Sequence, residues 1–317
     1  MTVSLVAGGA GFIGSHLVEA LVKQGKQVIV LDDFSNGRIG NLEAVESKIT
    51  VIRQDISQDY KSRPDITAPE EIYSLACFPR QISLANPRRD CEVNLIGTVN
   101  ALELARKTGA KVLFTSNTGI VSSPTKLPVD ETFPPNPLTP YDTNKLASEH
   151  LLRIYSQIYG LRTVTVRFAS IYGPRQRVNE KVGWKPVIPE LATKLLKSEP
   201  PTIDGDGSQT RDFLYVKDAV DGVIRAMESS RPEANHGETF ILGTNTETSI
   251  KELYSTISSL VGRNIKPKSG PRKPEEISRM RYDYSKAQSV FSFKPKTPLS
   301  EGLKETVEFL KKDVQSS

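Results

Sequence analysis

Cysteine, histidine, methionine and tryptophan are all scarce in this chain. Cys77 and Cys91 are the only cysteines among 317 residues, and they form neither a metal-type nor a redox-type pair. Reduced thiols and a cytoplasmic setting are therefore expected. The three histidines, His16, His150 and His236, are scattered. His16 and His150 fall inside helical patterns, as surface or core residues do, and no metal site is expected. No apolar run approaches the ~20 residues of a membrane span, and the short apolar start runs straight into glycines, so no membrane partner is expected. The charge excess is small, +5, and is spread along the chain. Its densest pairs, Arg88-Arg89 and Lys311-Lys312, fit solvated faces. That distribution suits a mildly basic cleft for an anionic metabolite and argues against a nucleic-acid partner.

What is present has the proportions of a soluble enzyme, 37% hydrophobic and 25% charged. The most informative feature is Gly8-Gly9-Ala10-Gly11-Phe12-Ile13-Gly14. It follows a short apolar strand, Ser4–Ala7, and opens a helical pattern over Phe12–Gln24. Glycines at a strand-to-helix turn let a pyrophosphate approach the backbone, and the helix N-terminus adds free N–H groups and partial positive charge. A second strand, Gln27–Leu31, ends at Asp32-Asp33. Asp32 lies roughly 20 residues beyond the motif, the spacing of the acid that binds the adenosine ribose hydroxyls. A carboxylate there repels a 2′-phosphate, so the cofactor is expected to be NAD.

Strand and helix signals then alternate, which predicts an α/β fold: a doubly wound, Rossmann-type parallel sheet with a smaller mixed α/β substrate domain. Strands are expected at Ile49–Arg53, Glu71–Ala76, Lys111–Ser116, Thr163–Arg167 and Glu238–Leu242. Helices are expected at Cys91–Lys107, Tyr141–Tyr159, Val187–Leu196, Ala219–Met227, Ile250–Val261 and Leu299–Lys311. Thr210–Val216 reads as strand-like, Lys266–Glu276 as a basic loop, and the stretch from Pro124 to Pro140 as a proline-rich loop. The expected division is residues 1–172 plus about 212–244 for the cofactor domain, and about 173–211 plus 245–317 for the substrate domain.

Tyr141 and Lys145 are four residues apart on an expected helix, so they share a face. An ammonium about 4 Å away, at an effective dielectric of about 20, stabilises phenolate by about 4 kcal/mol. That is roughly three pKa units off the ordinary tyrosine value near 10. The pair thus reads as a general base for a substrate hydroxyl, with Lys145 also placed to hold a nicotinamide ribose.

These motifs resemble those of the extended short-chain dehydrogenases/reductases, in the nucleotide-sugar epimerase and dehydratase group, over nearly the whole chain. Gly8, Gly11 and Gly14 match the family's glycine spacing, with Phe12 and Ile13 between them. Leu31–Gly37 resembles the ribose-binding turn, which brings in Asp33 and Asn36. Asp55 and Ile56 match the adenine-contacting pair, and Leu75 and Ala76 the wall beside the cofactor. Asn94 with Gly97-Thr98 fits the central helix. Arg167–Gln176 resembles the strand leading to the sugar site, and Gly205–Phe213 the segment whose arginine, here Arg211, meets the nucleotide diphosphate. The resemblance implies substrate contacts at Cys77, Arg80, Ser170, Arg175, Trp184, Arg211, Arg272, Lys273 and Glu276. It also implies a homodimer built by pairing two long helices into a four-helix bundle.

The chain departs from the family where a Ser or Thr usually follows the Phe114 strand. Alignment places Asn117 there, with Thr118 next, and either can be the hydroxyl's partner. Dehydratases carry Asp-Glu and decarboxylases a Glu at positions held here by Thr118 and Gly119. Epimerisation of a UDP-hexose at C4 is the expected reaction. UDP-glucuronate decarboxylation or 4,6-dehydration is one alternative. A CDP-sugar 2-epimerase is another, suggested by Gly183-Trp184. A binding protein that has lost turnover, suggested by Asn117, is a third.

Overall fold

The computed structural model describes residues 1–60, 63–66, 68–122, 124–180, 183–271 and 277–315. Short Val-, Ile- and Leu-rich runs supply the first six strands: β1 (Val3–Ala7), β2 (Gln27–Asp32), β3 (Ile49–Arg53), β4 (Glu71–Ser74), β5 (Lys111–Asn117) and β6 (Thr163–Phe168). Four shorter strands follow, β7 (Ser170–Tyr172), β8 (Thr202–Asp204), β9 (Thr210–Arg211) and β10 (Phe213–Tyr215). β11 (His236–Leu242) returns to pair with β6, and β12 (Thr248–Ser249) and β13 (Lys268–Gly270) pair with β9 and β8. The main sheet is seven-stranded and parallel, in the order β11-β6-β5-β4-β1-β2-β3.

Its register sets the site. Ala7 pairs with both Leu31 and Ser74, Ser74 with Phe114, and Asn117 with Phe168. The glycine turn, Asp32, Leu75 and Asn117 therefore all emerge at one edge. That is the carboxyl edge, where open parallel sheets bind ligands.

The helices are α1 (Phe12–Lys23), α2 (Arg80–Ser83), α3 (Pro87–Cys91), α4 (Gly97–Thr108), α5 (Pro140–Tyr159), α6 (Val187–Leu196), α7 (Val216–Glu228), α8 (Ile250–Val261), α9 (Ser285–Phe291) and α10 (Leu299–Gln315). On one face of the sheet Leu17 and Leu21 of α1, Val220 and Val223 of α7, and Phe291 of α9 meet Val6, Val28 and Val30. On the other face Leu102 and Ala105 of α4 and Leu152 of α5 meet Leu5, Ile29 and Leu31. A third cluster joins Leu191 of α6, Leu253 of α8 and Leu303, Val307 and Leu310 of α10. Each such side chain contributes about 1.5–3 kcal/mol by leaving water.

Several elements differ from the sequence expectation. The helix expected over Cys91–Lys107 is interrupted by a π-helical turn at Glu92–Ile96. Apolar periodicity is blind to one extra residue in a turn. The strand-like Thr210–Val216 splits at Asp212. Its carboxylate turns inward to accept bonds from the Thr244, Asn245 and Tyr282 backbone N–H groups and the Thr244 hydroxyl. The loop expected at Lys266–Glu276 contains β13, paired in parallel with β8. Residues Met280 to Phe293, with α9, pack on the sheet side rather than on the third cluster.

Candidate active site

The glycine turn is closed by contacts that admit no side chain. A Cβ on Gly14 would lie 2.1 Å from the Gly8 carbonyl oxygen, and one on Gly8 (φ +81°) would lie 2.6 Å from the Ala76 nitrogen. α1 follows its N-cap residue Gly11 without a side-chain cap and without an acid in its first turn. Its opening N–H groups and partial positive charge therefore border the cleft above it.

That cleft has a volume of about 510 Å³. Gly8, Gly11, Phe12, Ile13 and Gly14 form its middle. Asp32, Asp33, Asn36, Asp55 and Ile56 line one end. Leu75, Ala76 and Cys77 line the wall from β4. At the far end stand Asn117, Tyr141 and Lys145, with Arg80 and Ser170 around them; Trp184, paired with Asn179, lines the cleft on the side of Phe12 and Asn36. Four expected residues lie outside this lining. Asn94 sits behind the wall, its Oδ1 accepting from the Phe78 N–H. Thr118 turns away and donates to the Phe168 carbonyl at 3.0 Å, which leaves Asn117 as the cleft residue of the pair. Arg175, a substrate contact in expectation, reaches back to Ser15 and Glu19 of α1. Arg211 donates to the Thr210 and Ile277 carbonyls. Arg272, Lys273 and Glu276 lie outside the described residues.

Asp32 is buried, with Oδ2 accepting from the Ala10 N–H and Oδ1 from the Phe34 N–H, both at 2.9 Å. Burial raises its pKa against the pull of those two bonds. Burial also opposes the charge of Asp55. The Ser57 N–H and hydroxyl and the Arg89 guanidinium outweigh it and hold that carboxyl below its ordinary value. The sequence places Arg89 in a solvated basic pair. Instead it lines the cleft, 2.6 Å from Asp55 Oδ2 and 3.8 Å from Asp33 Oδ2. A run of two arginines carries no signal that separates them. Only the helical rotation of α3 does.

The far end is organised by the start of α5. Thr139 caps it, its hydroxyl accepting from the Asp142 N–H at 3.2 Å, and Pro140 takes the first helical position. Asp142, fully buried, accepts three bonds from Arg80 at 2.9–3.1 Å and one from the Thr139 hydroxyl at 2.8 Å. Arg80, expected at the substrate, is thereby also the clamp on this helix end. Lys145 is 1% exposed and donates to the Thr115 carbonyl at 2.9 Å. Its Nζ stands 4.6 Å from the Phe114 ring centre and 5.6 Å from that of Tyr141.

Burial lowers the Lys145 pKa, opposed by Cys77, Asp90 and Glu149. Burial also pushes the Tyr141 phenol well above its ordinary value, and Cys77, Asp142 and Asp90 add to the rise while Arg80 opposes it. The downward push expected from Lys145 is thus outweighed here by burial and by these neighbours. The ammonium is bound to a carbonyl, and three anionic or ionisable groups stand nearby. Beside Tyr141, Asn117 Nδ2 is buried without a partner. A Cβ at Gly119 would lie 2.6 Å from Asn117 Oδ1 and 3.1 Å from Asp142 Oδ1, so any side chain at 119 would require the Asn117 amide to move. Among the described residues no group of His, Cys, Asp and Glu could hold a metal, and no helix is long and apolar enough to cross a membrane.

Residues 5–306 match the model of the GDP-mannose 4,6 dehydratase family. The chain is 37% identical to a UDP-glucose 4-epimerase of Mycolicibacterium smegmatis, over 98% of this chain and 99% of that one. The structure is similar to that of a UDP-glucose 4-epimerase from Thermotoga maritima solved with UDP-glucose (TM-score 0.92, 33% identity, 99% of this chain and 100% of that one). It is also similar to a UDP-glucuronic acid 4-epimerase from Bacillus cereus in complex with UDP-glucuronic acid and NAD (TM-score 0.89, 30% identity, 98% and 99%). The parallel sheet, the uncapped glycine turn at its carboxyl edge and the tyrosine–lysine helix agree with these likenesses: the chain belongs to the GDP-mannose 4,6 dehydratase family, within the extended short-chain dehydrogenases/reductases.

Proposed function

We propose that this chain is an NAD-dependent epimerase of a nucleotide sugar, acting at C4 of a UDP-hexose. The observation that carries this is the meeting of Tyr141, Lys145 and the unpartnered Asn117 amide at the far end of the glycine-turn cleft. The donor set fits NAD. Bare N–H groups at the start of α1 suit a pyrophosphate, and Asp32 with Asp33 suits ribose hydroxyls while opposing a 2′-phosphate. When bound, NAD supplies a two-electron acceptor and donor.

The residues divide the rest. Tyr141 takes the proton from the sugar hydroxyl once the positive charge beside it outweighs the burial of its phenol. Lys145 supplies part of that charge from a fixed position. The Asn117 amide donates to the same sugar oxygen as it becomes a carbonyl, which an amide can do although it cannot relay a proton. The epimer would result when Tyr141 returns the proton to the sugar oxygen as the carbon, its other face now presented, recovers the hydride that bound NAD would supply. Glycine at 119 leaves that position without the acid that the family resemblance ties to decarboxylation or water loss.

The two-lobe division belongs to this reading. The sheet-bearing residues 1–172 and about 212–244 would hold the cofactor, and about 173–211 with 245–317 the nucleotide sugar through Arg211, Arg272, Lys273 and Glu276. So does a homodimer. α5 exposes Ile154, Ile158 and Tyr159, and Ile96 is exposed just before α4. Pairing of α4 and α5 across a two-fold axis would cover them. The free thiols, Cys77 among them opening on the cleft, suit a reducing, cytoplasmic compartment.

The test is incubation of the protein and NAD with UDP-glucose, UDP-galactose, UDP-glucuronate and a CDP-sugar, each followed by proton NMR. A new anomeric signal at unchanged mass is expected. Release of carbon dioxide or water would overturn the reading. Tyr141→Phe should abolish turnover and keep NAD, and sustained activity in that variant would remove Tyr141 as base. Light scattering at monomer mass would remove the dimer.

A further inference from the structure

Asp90, at the end of α3, has no part in the chemistry described above, yet it is fully buried and tied to three elements of the site. Its Oδ1 accepts from Asn144 Nδ2 at 2.6 Å, and Asn144 immediately precedes Lys145 on α5. Its Oδ2 accepts from Asn94 Nδ2 at 3.0 Å, within the π-helical turn. Asn94 in turn holds the loop beside Cys77, through the Phe78 N–H at 3.2 Å, and its own carbonyl accepts the Ser148 hydroxyl of α5 at 2.9 Å. One carboxylate thus joins the cofactor wall, the π-helical turn and the tyrosine–lysine helix.

We propose that Asp90 is a positioning residue of this site: its buried carboxylate fixes α5 through Asn144, ties it to the π-helical turn through Asn94, and is the counter-charge to the buried Lys145 ammonium. This rests on the reading of Tyr141 and Lys145 as the catalytic pair. The charged and titratable groups around the carboxylate are Lys145, Asp142 and Tyr141 on α5, with Cys77 and Arg80 on the facing loop and α2. Only Lys145 favours its ionised form at close range; Asp142 opposes it. Burial is the largest influence and raises the Asp90 pKa, while the Asn144 and Asn94 bonds lower it. Asp90 raises the pKa of both Lys145 and Tyr141. The sign follows: neutralising Asp90 moves both downward.

The test reads Tyr141 directly and needs no turnover. Tyrosinate absorbance is titrated with and without NAD, and the same titration of Tyr141→Phe is subtracted. Asp90→Asn should lower the Tyr141 midpoint by about one pH unit. Asn144→Ala, which removes a bond but no charge, should leave that midpoint in place. On any sugar nucleotide that turns over, it should cut kcat about threefold to tenfold at unchanged NAD content. A midpoint unmoved by Asp90→Asn overturns the electrostatic role. If that variant does not fold, Asn144→Ala decides, and wild-type kcat in it overturns the positioning role. Absence of turnover in the parent protein would count against the epimerase reading alone, since the titration stands apart from it.

Discussion

Replacing Arg80 with Met leaves Asp142 buried with the Thr139 hydroxyl as its one remaining side-chain donor among the described residues. The parent contact is three N–H···O bonds of 2.9–3.1 Å to a carboxylate at 0% side-chain exposure. Removing one partner of a buried pair costs about 3–5 kcal/mol, because the other charge stays in place without compensation. Arg80 is 37% exposed, so water already screens part of the attraction, and about 2–3 kcal/mol is the expected loss. A chain of this size then melts roughly 3–5 °C lower. Asp142→Asn in the same background should recover at least half of that, since a neutral amide needs no cation. The assay is thermal and urea unfolding of the parent, both single variants and the double, read as a mutant cycle. A coupling energy below about 0.5 kcal/mol would refute the assignment of the pair as the clamp on the start of α5.

Two further outcomes follow from the described geometry. Arg89→Ala should weaken NAD retention about tenfold, because Asp33 and Asp55 lose a shared cation at the cofactor end; equilibrium dialysis that shows unchanged affinity would refute it. His16 is held neutral by burial, its pKa lowered from 6.5 to about 4, with Nε2 at 2.9 Å from the Pro174 carbonyl. A depressed folded-state pKa contributes stability that is present above 6.5 and lost as the pH falls toward 4, up to about 3 kcal/mol. His16→Gln, which keeps a donor for Pro174, should flatten the urea-midpoint profile across that window. A profile as steep as the parent's would exclude His16 as its source.

The cofactor half of the site was legible because its requirements are local. A strand, three glycines, a helix and an acid at fixed spacing can be read in order, and the sheet register then brings Asp32 and Asn117 to one edge. What escaped was decided by tertiary packing. Arg89 and Arg88 are indistinguishable as letters, yet one lines the cleft and the other is a solvated partner of Glu92. Arg80 and Asp142 are far apart in sequence, so their pairing has no periodic trace. Asn117 and Thr118 are interchangeable in the sequence because a one-residue shift at a strand end exchanges the faces they present. The bond from Thr118 to the Phe168 carbonyl settles which one faces the cleft.

Trp184 is the chain's single tryptophan, and it lines the cleft. Intrinsic tryptophan emission from this protein therefore originates at one address. Any quenching or spectral shift on adding a nucleotide or a sugar nucleotide reports from the mouth of the site itself, with no background from other indoles. The molecule carries its own optical gauge of occupancy, and stopped-flow emission can time ligand arrival and departure without a label.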